Sequence, residues 1–195
     1  MAPQLSEDIL VEQELVKHLV HLGWTHVQGH KTRPEVTGRE EFREVLLLDR
    51  LRAALRRINV TDDGEVWLDE GRIAQAVGAL TRPGTLGLME SNRAATEVLL
   101  GGTTVDGDPD LHGGRDATVR FIDFEHPERN DFLVVNQFRV DLPGSSAAPR
   151  YIVPDLVLFV NGVPLGGETA RRRCLHRLCA AVACLPSVAC GRRAA

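Results

Sequence analysis

Apolar residues recur along this chain with two periods, and the change from one to the other divides it. From Ser6 to Leu22 the spacing is helical, with Ile9, Leu10, Leu15, Leu19 and Leu22 on one stripe. Ser6 is placed to cap that helix, and Glu7 and Asp8 put acids in its first turn, where the dipole favours anions. Gly23 ends it. Trp24–Gln28 predicts a short strand. A second long helix is predicted over Glu40–Ile58, where Phe42, Val45, Leu46, Leu48, Leu51, Leu55 and Ile58 recur between arginines. Two more follow at Asp69–Leu80 and Met89–Leu100, separated by the turn-rich Thr81–Gly87, and Gly101-Gly102 closes the second. From Ala117 the period falls to two. Thr118–Phe124 and Phe132–Asp141 predict strands bracketing the polar turn His126–Asp131. With Tyr151–Val160 and its return they predict an α/β (α+β) fold, a mixed, mostly antiparallel sheet flanked and covered by the earlier helices.

The chain is organised around Tyr151–Leu165, YIVPDLVLFVNGVPL. Asn161-Gly162 is a strong signal for a two-residue hairpin turn, because both central residues must accept φ > 0. A simple turn there makes Asp155 the cross-strand partner of Glu168. Two carboxylates facing each other on a buried hairpin are costly unless a cation or proton joins them. That is the shape of a Mg²⁺ site, and it points to a nuclease.

Composition narrows the classes. At 195 residues, 43% of them hydrophobic, the chain suits one domain with a tail, and no run of 18 apolar residues offers a membrane span. The N-terminus, MAPQLSEDIL, lacks the basic start and apolar core of a signal peptide, so a cytoplasmic protein is expected. All 27 acidic residues lie at or before Glu168, whereas Arg171, Arg172, Arg173, Arg177, Arg192 and Arg193 follow it. An acidic body argues against a general DNA-binding surface and leaves room for a local basic groove. Cys174, Cys179, Cys184 and Cys190 all fall in the tail, without the C-x₂-C pairs of a zinc site. His18, His21, His26 and His30 lie on different elements without an HExxH pattern and read as ordinary, partly exposed histidines. Asp106–Arg115 looks like the start of a calcium loop, but Leu111 and Ala117 stand where glycine and glutamate are needed, so it reads as a solvated turn. Arg50, Arg52, Arg56 and Arg57 are open to two readings, phosphate contacts or partners of neighbouring acids.

The hairpin IVPDLVLFVNGVPL resembles that of the N-terminal nuclease domain of type I restriction enzyme R subunits, a PD-(D/E)xK family. Three upstream blocks resemble it too, in the same order and spacing: SEDILVEQELVKHLVHLGW (6–24), FREVLLLDRLRAALRRIN (42–59) and IDFEHPERNDFLVVNQFRV (122–140). The likeness runs from Ser6 to about Leu165. It implies Mg²⁺-dependent cleavage of DNA phosphodiester bonds, with Asp155 as a metal ligand and Glu12 at the acidic position of the first helix. Glu12 also reads simply as a solvated helix-face residue. The family signature at Asn130–Phe138 reads as sheet-edge hydrogen bonding by Asn136 and Gln137 ahead of any substrate contact.

The sequence departs from the family where the site should be completed. The family's second acid lies 14 residues beyond the aspartate and its lysine 16 beyond, and those positions hold Thr169 and Arg171. Glu168 is one residue early, and no lysine follows Lys31. Two accounts stay open: a one-residue deletion that keeps Glu168 as acid and ligand, or a reading-frame shift after about Leu165. The second is favoured, because 21 Arg against 2 Lys marks a GC-rich gene, whose off-frame codons yield Arg, Ala and Cys. The expected organisation is an endonuclease-like domain over 1–168 and an aberrant Arg/Ala/Cys-rich tail over 169–195. ATP would be used only by motor domains, since no GxxxxGK[ST] loop is present here. The expected partners are DNA and the methylation and specificity subunits of a type I complex, with no membrane. The expected function is that of an R-subunit nuclease fragment with little or no activity. The alternative is a non-catalytic DNA- or subunit-binding module.

Overall fold

The computed structural model describes residues 7–81, 88–141 and 151–168. The Ser6 cap, the turn at 82–87 and the tail 169–195 with its cysteines lie outside them. In chain order the elements are α1 (Glu7–His21), β1 (Thr25–Gln28), α2 (Leu48–Ile58), α3 (Glu70–Thr81), α4 (Leu88–Gly101), β2 (Thr103–Val105), α5 (Pro109–His112), β3 (Ala117–Val119), β4 (Phe132–Asn136), β5 (Val140–Asp141), β6 (Tyr151–Ile152), β7 (Leu156–Val160) and β8 (Val163–Glu168). The chain folds as two compact units, one from Met1–Asp49 with Asp131–Ala195, the other from Arg50–Asn130.

The first unit holds a four-stranded sheet in the order β1-β4-β7-β8. β1 runs parallel to β4, and the other neighbours are antiparallel. Strand β7 reads LVLFV and is buried at every position, because both faces of the sheet are covered. On one face Leu15, Val16 and Leu19 of α1, with Trp24, pack on Val134, Leu156 and Leu158. On the other, Leu47, Leu133, Val135, Phe138, Val157 and Phe159 form a second cluster with Val27 and Val140. Each large apolar side chain so buried contributes about 1.5–3 kcal/mol. Helix α1 ends as its sequence implies: Gly23 sits at φ 93° and its N–H donates to Val20 O at 3.0 Å.

The second unit gathers α2, α3, α4 and the two-stranded sheet β2-β3. Leu51, Ala54, Leu55 and Ile58 of α2 are buried, as are Ile73 and Ala76 of α3 and Val105, Val119, Phe121 and Ile122. Asn59 is also buried. Its amide donates to Leu55 O and Arg120 O, and its oxygen accepts the Arg120 N–H.

Four expectations need correction. The helix expected over Glu40–Ile58 begins only at Leu48. Before it, the Glu44 carboxylate takes the N–H groups of Glu40 and Glu41, the Leu47 N–H donates to Gly162 O, and Phe42 O accepts from Asp141. Backbone groups claimed by distant partners are lost to an i→i−4 ladder. The strand expected over Thr118–Phe124 is β3 alone, and it pairs with β2 rather than joining the main sheet. Beyond it, Asp123 Oδ1 accepts the N–H groups of Glu125 and His126, which folds the chain into a turn. The strand expected over Phe132–Asp141 breaks at Gln137, which lies at φ 55°. The segment Tyr151–Val160 divides likewise, with β6 pairing β5 and β7 pairing β4.

Candidate functional site

Asn161 (φ 53°) and Gly162 (φ 78°) make the expected two-residue turn, and Val160 pairs with Val163 and Phe159 with Pro164. The next pair is Leu158 with Gly166, so Leu165 is an extra residue, a β-bulge. From there the register runs one residue late. Glu168 pairs with Leu156. It is not the partner of Asp155, as a regular hairpin would have made it.

Parallel and antiparallel pairing bring the C-terminal ends of β1 and β4 to the N-terminal end of β7. Gln28, Asn136, Leu156 and Glu168 therefore form one row of paired Cα positions across the sheet. Asn136 is the hub of that end. Its amide nitrogen donates to Glu12 Oε1 at 3.0 Å and to Gln28 Oε1 at 2.7 Å, and its oxygen lies 2.9 Å from His26 Nε2. Glu12 reaches Asn136 from α1. Asp155 sits in the bend before β7, half-buried. The Gln137 side-chain amide donates to Asp155 Oδ1 at 3.3 Å, and the Gln137 backbone N–H donates to Asp155 O at 2.9 Å. Consecutive amides thus hold the two carboxylates, Asn136 that of Glu12 and Gln137 that of Asp155.

Two features of this end were not foreseen. Gly29 is buried against β4, and its N–H donates to Asn136 O at 2.8 Å. A Cβ there would lie 2.6 Å from the carbonyl oxygens of both Asn136 and Gln137. Only glycine permits that approach, and the dipeptide Gln28-Gly29 after a short strand was its one trace. Arg39 is 4% exposed and lies over the Phe138 ring, its guanidinium 3.8 Å from the ring centre. It donates to the Thr37 hydroxyl and to the carbonyls of Glu44 and Arg139. Burial lowers its pKa to about 10, against the opposing pull of Glu44 and Asp141.

The other candidates are placed elsewhere. In the second unit Arg56 pairs with Glu70, and Arg57 donates to Arg129 O. The loop read as a solvated turn is largely exposed, and within it Asp108 caps the single turn of α5 by accepting from Asp110 and Leu111.

Among the described residues, no three His, Cys, Asp or Glu side chains converge as a metal would need. The Mg²⁺ implied by the resemblance does not find a full set of hard protein ligands among them. No helix among the described residues is long and apolar enough to cross a membrane.

Residues 4–166 match the family model "Type I restriction enzyme R protein N terminus (HSDR_N)". The chain is 31% identical over 166 residues to the Methanocaldococcus jannaschii "Putative type I restriction enzyme MjaIXP endonuclease subunit", covering 84% of this chain and 15% of that protein. It is 29% identical over 162 residues to the Haemophilus influenzae "Type I restriction enzyme HindI endonuclease subunit", covering 80% of this chain and 14% of that one. The chain thus spans about one seventh of the length of these relatives. By that match this chain belongs to the family of type I restriction enzyme R protein N-termini.

Proposed function

We propose that this chain is the nuclease-domain portion of a type I R subunit in which the cleavage site is incomplete. In the complete protein the reaction class would be Mg²⁺-dependent hydrolysis of DNA phosphodiester bonds. It would take place in the cytoplasm, beside methylation and specificity subunits and a separate ATP-driven motor. Asp155 is our choice for the metal carboxylate, with Glu12 in support from α1. The observation that carries the reading is the bulge at Leu165, which pairs Glu168 with Leu156 instead of Asp155. The bulge thereby takes Glu168 out of the cross-strand register with Asp155 on which the shared-cation reading rested. The family's lysine position also holds arginine, Arg171, a poor substitute for a compact ammonium that orients water.

The test is nicking of supercoiled plasmid in Mg²⁺. The chain itself is expected to leave the plasmid intact. The double substitution Thr169→Glu, Arg171→Lys restores acid and lysine at the family spacing. It is expected to gain nicking by about 10²-fold or more over the parent, and to lose the gain when Asp155→Ala is added. Nicking by the unaltered chain that disappears in Asp155→Ala would overturn the reading.

A further inference from the structure

We infer that Asn136 and Gln137 are positioning residues that hold Glu12 and Asp155 in the place of a cation, so that this end of the sheet assembles without a divalent metal. The inference rests on reading Asp155 as the carboxylate of the site, and it starts from the mismatch between the expected metal and the residues present.

Three observations carry it. The first is chemical. A carboxylate accepts hydrogen bonds only, and a side-chain amide offers two N–H donors. Glu12 Oε1 receives one from Asn136 at 3.0 Å, and Asp155 Oδ1 receives one from Gln137 at 3.3 Å. Partly buried carboxylates need such donors or a cation, and here the donors are built in.

The second is conformational. Successive residues of a regular strand point to opposite faces. Gln137 departs from that alternation by adopting φ 55°, a left-handed conformation that costs a non-glycine residue about 1–2 kcal/mol. Nothing in the turn requires glutamine for its backbone alone, since glycine would hold that conformation at less cost. The side chain supplies the reason: the same residue binds Asp155 twice, by its amide and by its backbone N–H.

The third is the support around the hub. The His26 ring faces Asn136 Oδ1 and Gln28 Oε1 takes the other N–H, which fixes the way the Asn136 amide points. With the oxygen turned to His26, the amide nitrogen is left for Glu12. Gly29 lets β1 approach closely enough to lock the backbone of both amide residues.

The experiment is thermal unfolding of the full chain and its variants in excess Mg²⁺ and in EDTA. The unaltered chain is expected to melt at the same temperature in both. Gln137→Glu replaces a donor by a second carboxylate beside Asp155. It is expected to melt lower in EDTA, by about 3 °C or more, and to recover in Mg²⁺. Adding Asp155→Asn should remove both the drop and the recovery. Asn136→Asp repeats the test against Glu12 should Gln137→Glu fail to fold. A melting temperature of the unaltered chain that rises in Mg²⁺ would overturn the inference, because a cation would then be holding the carboxylates. So would Gln137→Glu and Asn136→Asp variants that melt like the parent in both buffers. These results are independent of plasmid nicking: a metal-indifferent chain that nicks DNA would sink the functional reading and leave the amide clamp standing.

Discussion

The two ends of the β7–β8 hairpin are built by different means. At the turn, local chemistry sets the register. Asn161 and Gly162 accept positive φ, Val160 and Phe159 find the partners that simple counting assigns, and Asn161 is tied to Asp131 by two hydrogen bonds. At the carboxylate end nothing is settled locally. The register there depends on the Leu165 bulge, and Asp155 is held by a glutamine from another strand. Glu12 arrives from a helix far away in sequence. A hairpin turn is therefore specified by two residues, whereas the site end is specified by at least four segments. Damage should spread differently from each.

The largest effect is expected at the turn. Asn161 is fully buried, its oxygen accepts the Asp131 N–H at 2.7 Å, and its own N–H donates to Asp131 O at 2.8 Å. Asn161→Ala places a Cβ-bearing residue without side-chain polarity at φ 53° and removes the acceptor from a part-buried N–H. The cost should be about 2–4 kcal/mol. Asn161→Gly loses the same side-chain bonds but keeps the conformation without strain, so it should cost less than Asn161→Ala. Chemical denaturation of the two variants measures the difference. Equal losses would show that backbone strain contributes nothing at this turn.

This contrast also explains how far the sequence could be read. Helices α1, α3 and α4 follow from helical spacing, and the β7–β8 turn from one dipeptide. The failures share a cause: long-range groups overrule a local pattern. Residues 40–47 carry helical spacing, yet their backbone is bound to Glu44, Gly162 and Asp141. Gln137 is neither glycine nor asparagine, so nothing in its type announces positive φ. Pairing Asp155 with Glu168 followed correctly from a regular hairpin, and a bulge inside Val163–Glu168 leaves little trace beyond Gly166-Gly167. Asp155 and Glu12 could be picked out by resemblance. Their amide partners could be named but not assigned, because that assignment depends on which strands pair.

A smaller effect, felt only at the carboxylate end, is expected from Gly29→Ala. Its Cβ would meet two carbonyl oxygens at 2.6 Å, so β1 must move away from β4. The expected cost is about 1–3 kcal/mol. The amide proton of Gln137 should lose protection from hydrogen exchange, while that of Asn161 keeps it. Loss of protection at both would mean that the two ends of the hairpin are one cooperative unit, and the contrast between them would fail.

The smallest effect tests the support beneath Phe138. The Arg39 guanidinium lies 3.8 Å from the centre of that ring, and burial lowers its pKa from the usual guanidinium range to about 10. A base whose folded pKa lies below its unfolded one is less protonated when folded. From about pH 10 upward the unfolded chain therefore binds more protons, and the contribution of Arg39 to stability rises with pH until the unfolded guanidinium also titrates. Below about pH 10 the full cost of burying the charge is present in the folded state. Arg39→Met removes the titration and leaves other alkaline transitions common to both proteins. The stability of the parent relative to Arg39→Met should therefore rise by about 1 kcal/mol between pH 9 and pH 11. Denaturant titrations at the two pH values measure it. A difference that stays constant would mean that the guanidinium, cupped by Thr37 and two carbonyls, is as well solvated by the protein as by water. The carboxylate end would then rest on a cation that costs nothing to bury.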